Sequence, residues 1–214
     1  MPEVKICGLT NAADARASAE AGADYLGVIF AGGPRVLTAA RAREVLDGGG
    51  SSVHRVGVFG TQSPDEIASV ATRAGLDIIQ LHADPDLRVV SRVRSATGCA
   101  VWAVVRVQGG ELPSRYDALA GESDAVVLDA YLRDQLGGTG RALAWSLIAE
   151  SVMRRPRPRR LVLAGGLRPA TVTTAIDALH PDVLDVSSGV EQQIGRKDHD
   201  QVRAFVQAAR GGSA

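Results

Sequence analysis

The sequence predicts an α/β fold, and within that class a single (β/α)8 TIM barrel. Three observations lead there. One unit recurs about eight times along the 214 residues: a short apolar run, a turn, then an amphipathic run. The apolar runs are near-continuous rather than alternating, as in parallel strands covered on both faces. The turn after the first run, Cys7-Gly8-Leu9-Thr10-Asn11, lacks the Gly-x-Gly-x-x-Gly of an open dinucleotide-binding sheet. A barrel of this kind typically takes about 250 residues. The chain is therefore expected to be a compact version with short loops, one catalytic domain over 1–214.

The elements follow in order. Val4-Lys5-Ile6-Cys7 opens as a strand that sets Lys5 and Cys7 on one face, and Gly8 ends it. Thr10 or Asn11 caps a helix to Ala21, which Gly22 stops. Strand two is Tyr25 to Phe30, and helix two runs from near Thr38 to the glycines at Gly48. Strand three is His54 to Phe59. Ser63-Pro64-Asp65-Glu66 then reads as a capping box, and Gly75 ends that helix. Strand four is Asp77 to His82, and Asp84-Pro85 is expected to start the next helix by the same logic.

Strand five is Ala100 to Arg106, and a short helix is expected over Ser114 to Leu119. Strand six is Ala125 to Asp129. It is followed by the loop Gly137-Gly138-Thr139-Gly140 and a helix from Ala142 to about Met153. Strand seven is Arg160 to Ala164, with Pro169 expected to open its helix. Strand eight is Asp182 to Val186, and the last helix spans about Asp198 to Ala209.

Charge is balanced, with Lys+Arg 24 and Asp+Glu 24, so nothing draws the chain towards nucleic acid or an anionic membrane. The basic run Met153 to Arg160 is read as a solvated loop on the face opposite the active site. The 2 cysteines, Cys7 and Cys99, exclude a disulfide framework and fit a reducing cytoplasm. The N-terminus lacks a signal-peptide pattern, and no apolar run is long enough to span a membrane.

Candidate chemistry sits at the carboxyl ends of the strands, where parallel α/β proteins bind ligands. Cys7 ends the first strand, although a free cysteine is often only a small buried hydrophobe. Asp129 ends the sixth, and burying a carboxylate there is costly without partners. Facing one pocket, the two make a proton-transfer pair. Gly165 and Gly166 after strand seven, with Ser187, Ser188 and Gly189 after strand eight, match the place where barrels bind phosphate. Gly138 and Gly140 either complete that cradle or belong to a flap. Gln80, His82 and Asp185 share an inward parity, and Lys5 is the ammonium expected to favour a Cys7 thiolate. Arg35, in Gly32-Gly33-Pro34-Arg35, offers a planar fork for a substrate carboxylate.

Lys5-Ile6-Cys7-Gly8-Leu9-Thr10, Gln80-Leu81-His82, Leu128-Asp129, Gly137-Gly138-Thr139-Gly140, Leu163-Ala164-Gly165-Gly166-Leu167 and Asp185-Val186-Ser187-Ser188-Gly189-Val190-Glu191 resemble phosphoribosylanthranilate isomerase, in order over almost the whole chain. The resemblance implies an Amadori rearrangement in tryptophan biosynthesis, with a phosphorylated small-molecule substrate and no cofactor. It implies Asp129 as general acid and Cys7 as general base. It places Arg35 on the anthranilate carboxylate, Asp185 near the anthranilate, and Gly165, Gly166, Ser188 and Gly189 on the phosphate. It leaves monomer and homodimer open. The chain departs from the family pattern at Gly32-Gly33, at Leu37, at Arg141-Ala142-Leu143-Ala144 and between Glu191 and Asp198, where a usual proline is missing. Those departures leave room for a related aminoaldose-phosphate isomerase with a shifted substrate; an indole-phosphate lyase, left open by Lys5, and a barrel kept as a binding partner are the rival readings.

Overall fold

In the computed structural model, eight parallel strands close on themselves in chain order: β1 (Glu3–Ile6), β2 (Tyr25–Ile29), β3 (His54–Phe59), β4 (Ile78–Leu81), β5 (Ala100–Arg106), β6 (Ala125–Asp129), β7 (Leu161–Ala164) and β8 (Val183–Val186). The helices that follow them are α1 (Ala12–Glu20), α2 (Ala39–Asp47), α3 (Pro64–Ala74), α4 (Leu87–Thr97), α5 (Tyr116–Glu122), α6 (Gly140–Met153), α7 (Val172–Leu179) and α8 (His199–Ala209). The structure describes residues 1–107, 110–129 and 140–211, without the side chains of 140–144, 146 and 147. Gly138 lies outside the described residues. Gly140 is the first residue of α6, ahead of the expected start at Ala142.

Successive strand residues point to opposite faces, so one closed sheet makes two cores. The outward residues pack under the helices in a large apolar layer that includes Val4, Ile6, Leu26, Val28, Leu46, Ile79 and Phe205. The inward residues Tyr25, Val56, Ile78, Trp102, Ala125, Val127, Val162 and Val183 fill the barrel. Register carries this parity onward: Lys5 stands opposite both Tyr25 and Asp185, and Gln80 opposite both Val58 and Trp102. Polar side chains at Lys5, Gln80 and Asp185 thus point into the barrel together.

Most helix starts follow the local chemistry. Asn11, Thr38 and Asp198 cap α1, α2 and α8, and Ser63 with Glu66 completes the capping box of α3. Three further starts differ from expectation. Asp84 does not cap α4: it has φ +48, and its carboxylate goes to Arg106 and Arg115. Asp86 caps α4 instead, accepting from the Val89 N–H at 2.9 Å. Pro169 does not open α7 but sits second in a turn closed by the Thr171 N–H on the Arg168 carbonyl at 3.0 Å, a position proline favours. α5 begins at Tyr116, after a turn in which Tyr116 N–H bonds the Pro113 carbonyl.

After β8, a short 3-10 turn (Ser188–Val190) leads into a hairpin that sequence reading did not anticipate, β9 (Glu191–Gln193) and β10 (Arg196–Lys197). Two contacts pin it to the start of α1. Thr10 Oγ1 donates to the Gly195 carbonyl at 2.5 Å, and Asp14 Oδ2 accepts from the Lys197 N–H at 2.8 Å. Asp14 is itself held by Asn11 and His199.

The basic run before β7 is paired, as a solvated loop at the amino ends of the strands would be. Arg155 reaches Asp117, Arg157 reaches Asp182, and Arg160 bonds both Glu3 and the Tyr25 hydroxyl. Among the described residues, no helix is long and apolar enough to cross a membrane.

Candidate active site

A cavity of about 360 Å³ opens at the carboxyl ends of the strands. Every strand, or the loop after it, lines it: Cys7; Ile29, Ala31 and Gly32; Val58; Gln80 and His82; Val104; Val127 and Asp129; Ala164 to Leu167; and Asp185 to Gly189. Cys7 and Asp129 therefore share one space. They reach it from strands three places apart around the barrel, β6-β7-β8-β1. The barrel core lies on the amino-terminal side and gives the cavity an apolar floor.

Cys7 is buried, and its backbone N–H is fixed on the Val186 carbonyl at 2.8 Å. Gly27 faces it from β2. A Cβ there would lie 2.9 Å from Cys7 Sγ and 3.1 Å from Lys5 Cε, so glycine is required by the close approach of three inward groups. Burial is the largest influence on the Cys7 thiol and pushes its pKa up. Lys5 and Lys197 pull it down, Asp185 pushes it up again, and the net result is above the ordinary value. The expected help from Lys5 is real in direction but is outweighed by desolvation.

Lys5, expected against the substrate, is instead fully buried behind the lining residues. Its Nζ donates to Gln80 Oε1 and Asp185 Oδ2, both at 2.8 Å. Burial opposes its charge, but Asp185 and Cys7 outweigh that and hold its pKa above the ordinary lysine value. It acts on the cavity through its neighbours. Asp185 spends one oxygen on Lys5. The other, Oδ1, is buried without a hydrogen-bond partner among the described residues, on a side chain that lines the cavity. An unsatisfied buried acceptor is costly, so this oxygen is well placed for a substrate donor.

His82 Nε2 lies 4.0 Å from Asp129 Oδ2. Burial lowers the His82 pKa; Asp129 raises it, Arg106 and Lys5 lower it, and the imidazole is held below its usual value. Asp129 therefore has a neutral ring beside it at pH 7.

Gly165 and Gly166 have φ of +95 and +68, two successive left-handed residues that only glycine adopts freely. A Cβ on Gly189 would collide with the Leu167 carbonyl. The loops after β7 and β8 are thus in backbone contact at the place where barrels hold phosphate.

Arg35 is the largest departure from expectation. Its fork is taken by Glu191, with Nε to Oε1 at 2.8 Å and Nη2 to Oε2 at 2.5 Å. Glu191 also accepts from Lys197 Nζ at 3.0 Å. Neither Glu191 nor Lys197 stood out in sequence as a site residue. The available signal was opposite charges on either side of Gly195, which closes the hairpin with φ +77.

Fold and site together define a (β/α)8-barrel enzyme with its chemistry at the carboxyl-terminal mouth. Residues 4–208 match the family model described as N-(5'phosphoribosyl)anthranilate (PRA) isomerase. An N-(5'-phosphoribosyl)anthranilate isomerase of Rubrobacter xylanophilus is 39% identical over 211 residues, covering 98% of this chain and 100% of the relative. The crystal structure of phosphoribosyl anthranilate isomerase from Thermotoga maritima superposes with a TM-score of 0.85 at 35% identity, covering 99% of this chain and 100% of that one. A further solved structure, of such an isomerase in complex with reduced 1-(o-carboxyphenylamino)-1-deoxyribulose 5-phosphate, gives a TM-score of 0.82 at 34% identity, with 99% and 100% covered. The chain belongs to the N-(5'-phosphoribosyl)anthranilate isomerase family.

Proposed function

We propose that this chain, as one catalytic domain over 1–214, converts N-(5-phosphoribosyl)anthranilate to 1-(o-carboxyphenylamino)-1-deoxyribulose 5-phosphate in tryptophan biosynthesis. One observation carries the residue assignment. Cys7 and Asp129 line a single cavity together with the glycine and serine loops after β7 and β8. Two free cysteines fit a reducing compartment, the cytoplasm.

The substrate phosphate docks against Gly165, Gly166, Ser187, Ser188 and Gly189. The anthranilate then extends towards Gly32, in the loop that carries Arg35, whose guanidinium Glu191 holds. Asp129 as the carboxylic acid gives a proton to the furanose ring oxygen. The C1′–O4′ bond breaks, and the nitrogen lone pair makes the C1′=N bond of a Schiff base. Cys7 as the thiolate removes the C2′ proton, and the electrons of that C–H bond form the enolamine, which tautomerises to the ketone. Each transfer is worth roughly 10²–10⁴-fold when its group is positioned. Because burial keeps Cys7 mainly protonated, the thiolate is the scarce partner, and Lys5 and Lys197 set how scarce.

The test follows the loss of anthranilate-type fluorescence when purified protein meets fresh phosphoribosylanthranilate. Turnover is expected for the wild type, with Cys7→Ala and Asp129→Asn each slower by roughly 10²-fold or more. A wild type without turnover sinks the substrate assignment. A folded variant with near-normal turnover sinks the role of that residue.

A further inference from the structure

A buried charge cluster sits at the β9–β10 hairpin. Lys197 is 1% exposed, and its ammonium is shut off from solvent. Its Nζ donates to the Ser187 carbonyl and to Glu191 Oε1, both at 3.0 Å. Buried ion pairs are expensive to desolvate, and apolar residues of similar volume often hold a fold as well or better. The hairpin also has anchors that do not need the ammonium: the Lys197 backbone N–H on Asp14 and the Gly195 carbonyl on Thr10. Attachment of the hairpin therefore does not require the charge.

What it adds is a connection inward. Glu191 passes the connection to Arg35 through the two-bond fork. Arg35 and Ser187 then converge on Gly8: a Cβ there would lie 2.8 Å from Arg35 Cδ and 2.7 Å from Ser187 Oγ. Gly8 is the residue after Cys7, and its φ of +74 sets the direction in which the chain leaves the thiol. Lys197, Ser187, Gly8, Arg35 and Glu191 are thus a closed loop of neighbours that passes through Gly8, next to Cys7.

We propose that Lys197 is a positioning residue for the isomerisation: its buried ammonium, through Ser187 and the Glu191–Arg35 pair, fixes the backbone at Cys7–Gly8. The proposal rests on Cys7 being the general base. The charged and titratable groups facing Cys7 are Lys5 from β1, Asp185 from β8, Lys197 from β10 and Arg35 from the loop after β2, with His82 and Asp129 on the same cavity. Lys5 is bound to Asp185 and Gln80 as well as acting on Cys7, whereas Lys197→Met removes a cation from the surroundings of Cys7 without a change to that triad.

The experiment uses the full chain as wild type, Lys197→Met, Glu191→Gln and Cys7→Ala. It reads kcat, KM, melting temperature and the pH midpoint of Cys7 alkylation by iodoacetamide. Peptide mass spectrometry separates Cys7 from Cys99. Lys197→Met is expected to lower kcat by about 10–100-fold, the scale of an ångström-level misplacement, with a much smaller change in KM. It moves the alkylation midpoint up, because a cation is lost. Glu191→Gln moves the midpoint down, because the cations lose a counter-anion.

A purely structural Lys197 lowers the melting temperature and leaves kcat and both midpoints in place, which overturns the proposal. If Lys197→Met does not fold, Glu191→Gln, which conserves volume, decides alone: an unmoved midpoint with unchanged kcat overturns it. Full activity in Cys7→Ala overturns the base assignment and this proposal with it. An inactive Cys7→Ala with unmoved midpoints in the other variants overturns the proposal only.

Discussion

Gly27 is the most exacting test of how closely this site is built. Replacing it by alanine puts a methyl 2.9 Å from Cys7 Sγ, 3.1 Å from Lys5 Cε and 3.2 Å from Cys7 Cα. Non-bonded carbon contacts settle near 3.5–4.0 Å, so the sulfur or the β1 backbone must retreat by roughly 0.6–1 Å. Lys5 cannot yield freely, because Gln80 and Asp185 hold its ammonium at 2.8 Å each. A base displaced by about 1 Å loses on the order of 10²-fold, so kcat/KM is expected to fall by about 10–100-fold, or ~1.4–2.7 kcal/mol of transition-state stabilisation.

Overpacking should also cost about 1–3 kcal/mol of stability. That is a melting temperature lower by ~2–4 °C per kcal/mol in a chain of this size. Gly49→Ala is the control. Its methyl collides with Leu26 in the layer between helix and barrel, on the face of the sheet opposite the thiol, and should cost stability without a matching loss of kcat/KM in the folded fraction. Fluorescence-detected kinetics with circular-dichroism melting curves measure both. A folded Gly27→Ala enzyme with wild-type kcat/KM, or one whose loss matches the Gly49→Ala control, refutes the claim that Cys7 is positioned against β2.

Asp185→Asn leaves the Lys5 ammonium buried without its anion. Breaking such a pair costs about 3–5 kcal/mol, read as a lower melting temperature. The same variant should move the Cys7 alkylation midpoint down from a wild-type value above the ~8.5 of an ordinary thiol, since Asp185 pushes the thiol up. Burial pushes the Glu191 carboxyl up, but Arg35 and Lys197 outweigh it and hold it below its ordinary range. Its stabilising contribution is therefore present above the unfolded pKa of about 4.3 and lost as pH falls through the lower folded value. Melting temperatures between pH 6 and pH 3 should show a steeper decline for the wild type than for Glu191→Gln (window chosen around ~4.3). Ser63→Ala removes the α3 capping box and should cost about 1 kcal/mol in denaturant titrations with kcat unchanged.

The barrel and its mouth were readable along the chain because the forces that make them are local or periodic. Apolar runs mark strands buried on both faces, and side-chain oxygens at Asn11, Thr38, Ser63 and Asp198 mark helix starts by reaching N–H groups within the next turn. Strand ends fall where the apolar run stops, which puts Cys7, Asp129 and the glycine-serine loops at one rim, where the cavity lies.

What needed three dimensions was who pairs with whom. Asp84 followed by proline looks like a helix cap, but two arginines from β5 and the segment before α5 claim its carboxylate. Arg35 looks like a free fork, yet its partner Glu191 lies 156 residues away. Lys5 and Asp185 are 180 apart and meet only because β8 closes onto β1. Charge pairing depends on distance through space and on desolvation, and neither has a period along a chain.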